Sequence, residues 1–174
     1  MGGESPGDDA FTARQALRAD MSLAALLGGM CLANAGLGAV HGLVAPLGAF
    51  FPIPHGAGCA ALLPAVIRAN ARRAHPEANA AMLAKLAAVL ALLAGDPSMP
   101  RVAADADKQL LLAFELAECL SDLNRRLGLP GLSHYGVTRE DFPRIVADAR
   151  GNSMKTNPVE LDDAELSVIL EEAF

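Results

Sequence analysis

The chain is poor in the residues that build sheet cores, with no Trp, one Tyr and six Phe among 174 residues, although 52% are hydrophobic. Ala and Leu dominate that apolar share, and both are strong helix formers, whereas β-branched and aromatic residues favour strands. It also lacks a basic surplus: 14 Lys and Arg stand against 20 Asp and Glu, a net charge of −6. That balance excludes the positive footprint of a nucleic-acid-binding surface. Arg68, Arg72 and Arg73 form only a local cluster, read as a solvated helix face or as partners of a helix C-terminus. Cysteine is scarce and odd in number, with Cys31, Cys59 and Cys119 in apolar surroundings and no CxxC spacing. These read as buried thiols of a reducing compartment rather than as disulfide or zinc partners. No GxSxG elbow, phosphate-cradling GxxxxGK[ST] loop or GxGxxG turn is present.

The opening MGGESPGDD lacks the basic and apolar regions of a signal peptide. Residues 23–47 are apolar enough to raise the question of a membrane span, but Asn34, His41, repeated Gly and Pro46 favour a buried core helix. A cytoplasmic protein is the expectation, with no nucleic-acid or membrane partner and with homo-oligomerisation left open.

What is present is helical periodicity. Residues 1–9 read as a flexible tail or cut end, and residues 10–174 as one all-α domain large enough to bury a core. Leu17, Met21, Ala24, Ala25 and Gly28 share one face of a first helix. Gly28, Gly29, Gly36 and Gly38 are unfavourable there, so they suggest close packing of small residues or close approach to a ligand. A second helix is predicted over residues 33–50, a turn over 51–54, and a third helix to residue 74, bent at Pro64. Further helices are predicted over 77–94, ended by Gly95 and the GDPSMP turn, and over 104–127. The second of these carries a stripe of Ala113, Leu116, Ala117, Leu120, Leu123 and Leu127. A short helix follows Thr138, and a last one is capped by Asp162. With no internal repeat, the expected architecture is a bundle of six or seven helices.

The chemistry concentrates in VHGLVAPLGAFFPIPHGAGCAALLPAVIRAN, residues 40–70, which holds two of the four histidines, His41 and His55. Pro46, Pro52 and Pro54 between them forbid one continuous helix. Fourteen residues apart, the two cannot share a helix face in the way an HExxH pair does, and they meet only if the bend folds one helix end back on another. Taken alone they fit core or cap residues as well as half of a metal site, since Zn²⁺ or Fe²⁺ takes three or four protein donors. His75, before a Pro, and His134, in LSHYG, read as surface residues.

The stretch ANAGLGAVHGLVAPLGAFFPIPHGAGCAALLPAVIRAN resembles the signature region of the iron-containing (group III) alcohol dehydrogenases, with its NxxLGxxH and PHG segments. LGLPGLSHYGVTREDFPRIVADA and NPVELDDAELSVILEEAF are similar to later segments of that family, so the resemblance runs over residues 10–174. It implies a dehydroquinate-synthase-like helical domain that carries the metal, beside an α/β nucleotide-binding domain absent from this sequence. His41 and His55 would be two of four ligands to Fe²⁺ or Zn²⁺. The metal polarises the oxygen of a small alcohol or aldehyde while hydride moves to or from NAD or NADP.

The family's other ligands lie in a DxxxH motif upstream. Asp20 is the nearest acid and has no His four residues later, so it is not assigned. Ala45 stands where many members carry a proton-relay His, and Ser153 lies where the family's chain returns toward the site, with loop capping as its simpler role. The expectation is an iron-type dehydrogenase, or a relative such as a maleylacetate reductase, whose chain alone is inactive. The rival is a stand-alone helical remnant serving as a structural, interaction or weak metal-binding module.

Overall fold

The computed structural model describes residues 6–95 and 105–174 and contains seven α-helices and no strand among the described residues. They are α1 (Pro6–Ala35), α2 (Ala39–Phe50), α3 (His55–Arg73), α4 (Ala80–Ala94), α5 (Ala106–Arg126), α6 (Phe142–Asp148) and α7 (Asp163–Glu172), with three short 3-10 turns from Leu132 onward. The all-α expectation holds. The chain divides into two compact units, residues 1–36 and 37–174.

In the first unit, α1 begins at Pro6, inside the stretch read as a tail, and residues 11–35 are exposed throughout. Phe11–Ala35 is long and apolar enough to cross a membrane by length and composition, with none of it buried. This corrects the reading of residues 23–47 as a buried core helix over residues 23–35, whereas Ala39, Leu43, Val44 and Leu47 are buried as expected. The helix ends at Ala35, Gly36 takes a left-handed φ of 72°, and α2 starts only at Ala39. Left-handed backbone suits Gly and terminates a helix. Gly28 and Gly29 have open space where a side chain would stand, so close packing among the described residues does not explain them. The predicted apolar face is present but uncovered, with Leu17 and Met21 exposed.

In the second unit α3 is the central helix. Leu62, Ala65, Val66 and Ala69 join Leu43, Val44 and Leu47 of α2, Ile145 and Val146 of α6, and Leu166, Ile169 and Leu170 of α7 in the main core. Ile67 and Ala71 serve two smaller clusters with Leu83 and Leu90 of α4 and Ala113, Leu116 and Ala117 of α5. Each fully buried Leu or Ile contributes about 1.5–3 kcal/mol relative to exposure. The α5 stripe fails at its C-terminal end, where Leu123 and Leu127 are exposed because the neighbouring helices no longer cover that turn. The helix predicted from residue 77 starts at Ala80, since His75-Pro76 is followed by turns and the Asn79 side chain accepts from the His75 N–H. The expected GDPSMP turn lies outside the described residues after Gly95, whose left-handed φ of 68° ends α4.

Pro64 lies inside α3, which continues through it as one element. A proline supplies no N–H for the carbonyl four residues earlier. That carbonyl, of Ala60, instead accepts from Asn124 Nδ2 of α5 at 2.6 Å. Side-chain caps begin α5 and α7: Asp105 accepts from the Asp107 N–H, and Asp162 and Glu165 form a reciprocal box at α7.

Two contacts hold α2 in place. Asn157 Oδ1 accepts from the Ala39 N–H at 3.0 Å, while its Nδ2 donates to Asn70 Oδ1 of α3 and to the Val159 carbonyl, both at 2.8 Å. Close approach does the rest. A Cβ on Gly42 would stand 2.7 Å from Met154 Cε, and one on Gly58 would stand 2.7 Å from Val44 Cγ2.

The basic cluster is likewise partly structural. Glu172 binds Arg68 at 2.7 Å and Arg72 at 2.8 Å, and Arg68 also reaches Glu118 at 2.9 Å, joining α3, α5 and α7. Burial alone would raise the Glu172 carboxyl, but the hydrogen bonds from Arg68 and Arg72 outweigh it and hold the pKa below its ordinary value.

Three outcomes follow for equilibrium unfolding. Asn157→Ala strands the Ala39 N–H and the Asn70 amide and should lower stability by about 1–3 kcal/mol. Gly58→Ala should destabilise by about 1–3 kcal/mol through overpacking. Gly28→Ala, in open space, should instead be neutral or stabilising by up to about 1 kcal/mol. A depressed carboxyl binds fewer protons folded than unfolded, so the Glu172 contribution is present above pH about 4.3 and lost as pH falls through the lower folded value. Urea titrations should show a smaller acid-side loss of stability in Glu172→Gln than in the parent.

Candidate metal centre

His41 lies in the first turn of α2 and His55 is the first residue of α3. Phe51, with φ −132° and ψ 153°, ends α2, and Pro54, with φ −58° and ψ 130°, leads into α3. Prolines at 52 and 54 hold the link non-helical because each fixes its own φ and biases the residue before it toward extended backbone. An Ile53 N–H bond to the Phe51 carbonyl at 2.8 Å tightens it, and the Arg144 guanidinium of α6 stacks 4.1 Å over the Phe50 ring. Such a cation–ring contact near the surface contributes about 0.5–1 kcal/mol.

The link brings the two predicted histidines together: their ring centroids are 5.3 Å apart, tilted by 51°. His41 is half-buried and His55 exposed. Desolvation, and then the neighbouring His55, lower the His41 pKa. A third group joins them. Cys59, one turn beyond His55 on α3, places its Sγ 3.6 Å from His55 Nε2. Donor atoms of His41, His55 and Cys59 all lie within 4.8 Å of one another.

Cys59 was set aside in the sequence as a buried thiol, and that reading needs correction: Cys59 and Cys119 are half-buried and Cys31 is exposed. The signal for Cys59 was its position four residues after His55 in a helix, which puts both side chains on one face. Burial raises the Cys59 thiol pKa.

The remaining candidates fall elsewhere. His75 and His134 are exposed, as expected. An open hollow of about 540 Å³ lies beside His75, rimmed by Glu77, Asp105 and Asp107, and neither His41 nor His55 lines it. Ala45, one turn on from His41, is exposed and carries no titratable group. Ser153 makes no capping bond with its side chain; its carbonyl accepts from Thr156 Oγ1 at 3.1 Å.

Two imidazole nitrogens on one tetrahedral ion, each about 2.0–2.1 Å from it, stand about 3.3 Å apart. The donor atoms of His41, His55 and Cys59, within 4.8 Å of one another, are of the types that bind a divalent cation. NMR titration of the ring protons should place the His41 midpoint below about 6.5. In His55→Ala it should move up toward the ordinary value, because a like charge is removed; an unmoved midpoint would contradict the coupling.

Residues 10–174 match the family described as Fe-containing alcohol dehydrogenase family, C-terminal. Alcohol dehydrogenase 4 of Saccharomyces cerevisiae (strain ATCC 204508 / S288c) is 33% identical over 159 residues, covering 90% of this chain and 37% of the relative. Lactaldehyde reductase of Escherichia coli (strain K12) is 34% identical over 131 residues, covering 75% and 30%. A crystal structure of a 1,3-propanediol oxidoreductase superposes with a TM-score of 0.69 at 29% identity, covering 88% of this chain and 37% of that one. The chain thus spans 30–37% of the length of these relatives, and it belongs to the iron-containing alcohol dehydrogenase family as its C-terminal helical domain.

Proposed function

We propose that this chain is the metal-bearing helical part of an NAD(P)-linked alcohol dehydrogenase, with His41 and His55 as two protein ligands to Fe²⁺ or Zn²⁺. The observation that carries the reading is the 5.3 Å approach of the two rings across the proline link. It falls within the residues that match the family. When bound, such a cation supplies Lewis acidity toward the oxygen of a small alcohol or aldehyde.

The chain's own residues set the geometry. The Asn157 bond to Ala39 anchors the start of α2 and so the height of His41, and the Gly58 contact with Val44 sets the distance to α3. His55, exposed, leaves the site open to substrate and water. Ala45 offers no proton acceptor one turn from His41, so the alcohol proton passes to solvent. Nicotinamide nucleotide is held outside the helices described here. A cytoplasmic setting belongs to the same reading, because three unpaired thiols suit a reducing compartment. The family match over residues 10–174 favours this enzyme reading over a stand-alone module.

Calorimetric titration of the full chain with Zn²⁺, or anaerobically with Fe²⁺, tests it. The His41→Ala, His55→Ala double variant should bind at least about tenfold more weakly. Equal affinity in the two proteins would remove both histidines from the role.

A further inference from the structure

The imidazole pair does not exhaust the donors at this place. Cys59 packs partly against the main core, which fixes the side chain, while its sulfur points to His55. For a tetrahedral ion with a sulfur at about 2.3 Å and a nitrogen at about 2.1 Å, the sulfur–nitrogen edge is about 3.6 Å. The observed Cys59 Sγ to His55 Nε2 distance is 3.6 Å. A weak thiol–imidazole hydrogen bond would account for that pair alone. It would not account for the His41 donor arriving within 4.8 Å of both.

We propose that Cys59 is a third protein ligand, so that this chain presents a His2Cys set able to take a borderline divalent cation such as Zn²⁺ or Co²⁺. The inference rests on the reading of His41 and His55 as ligands and adds to it. Thiolate is a soft donor of the kind that zinc sites use beside imidazole. Coordination takes the thiolate form, and the thiol proton passes to solvent. Three protein donors leave a fourth position open, the arrangement of a site that also takes water or a substrate oxygen. Because all three donors come from α2 and α3, the second unit alone holds them.

The test is an anaerobic Co²⁺ titration of the full chain followed by absorption. The parent should show a near-ultraviolet thiolate-to-cobalt charge-transfer band together with visible bands of a tetrahedral ion. Cys59→Ser should lose the charge-transfer band and bind at least about tenfold more weakly. Helix content measured by circular dichroism should match the parent. In the parent itself, Zn²⁺ should protect Cys59 from alkylation but leave exposed Cys31 reactive, as mapped on peptides. Cobalt binding that needs the two histidines but shows no thiolate band, or a band that survives Cys59→Ser, overturns the cysteine inference and leaves the imidazole reading standing. Cobalt binding that does not depend on His41 and His55 overturns both.

Discussion

The rest of the second unit depends on the close approach of α2 and α3 across a link that cannot be helical. Prolines at 52 and 54 keep that link out of the helical region, and Gly58 lets α3 come against Val44 where any Cβ would stand 2.7 Å from Cγ2. Without the prolines, the two apolar arms would be free to continue as one helix, and residues fourteen apart would never share a site. With them, His41 and His55 converge to 5.3 Å between ring centroids. Neither device is chemical in itself. Together they turn a linear spacing into a pocket of donors.

The remainder of the fold holds that approach in register. The 3-10 turn Met154–Thr156 and the residue after it meet the start of α2 twice, through Asn157 to the Ala39 N–H and through Thr156 Oγ1 to the Leu37 carbonyl. Asn157 also binds Asn70, so one amide ties α2 and α3 to the same loop. A half-buried amide with all these partners made is worth more than its parts, because removing it leaves several polar groups unpaired at once. The Glu172 node does the same at the surface for α3, α5 and α7, with less energy at stake because it is more exposed.

Much of this was legible in the residues, and the misses have physical causes. The helices announced themselves through apolar periodicity, and Thr138, Asp162 and Gly95 marked ends by their capping chemistry. The histidine pair was visible as a question, since the prolines guaranteed a bend but could not say which way it folds. Cys59 was read as core because a thiol in an apolar run suggests burial first, although a helix starting at His55 puts the two on one face. Residues 23–35 misled because apolarity reports preference for burial, whereas burial itself needs partners; Ala39, Leu43, Val44 and Leu47, which have them, are buried as read. Asn157 was unreadable as a keystone because its partners lie 118 and 87 residues away in sequence.

The central claim is that the proline link brings two imidazoles onto one ion. X-ray absorption at the metal edge of the zinc-loaded full chain addresses it directly, because imidazole rings produce outer-shell scattering that carboxylates and water do not. The account predicts a first shell that includes two imidazole nitrogens, with that ring signature lost when His41 and His55 are both replaced by Ala. A shell of oxygens alone, or an imidazole signature unchanged by the double replacement, would contradict it.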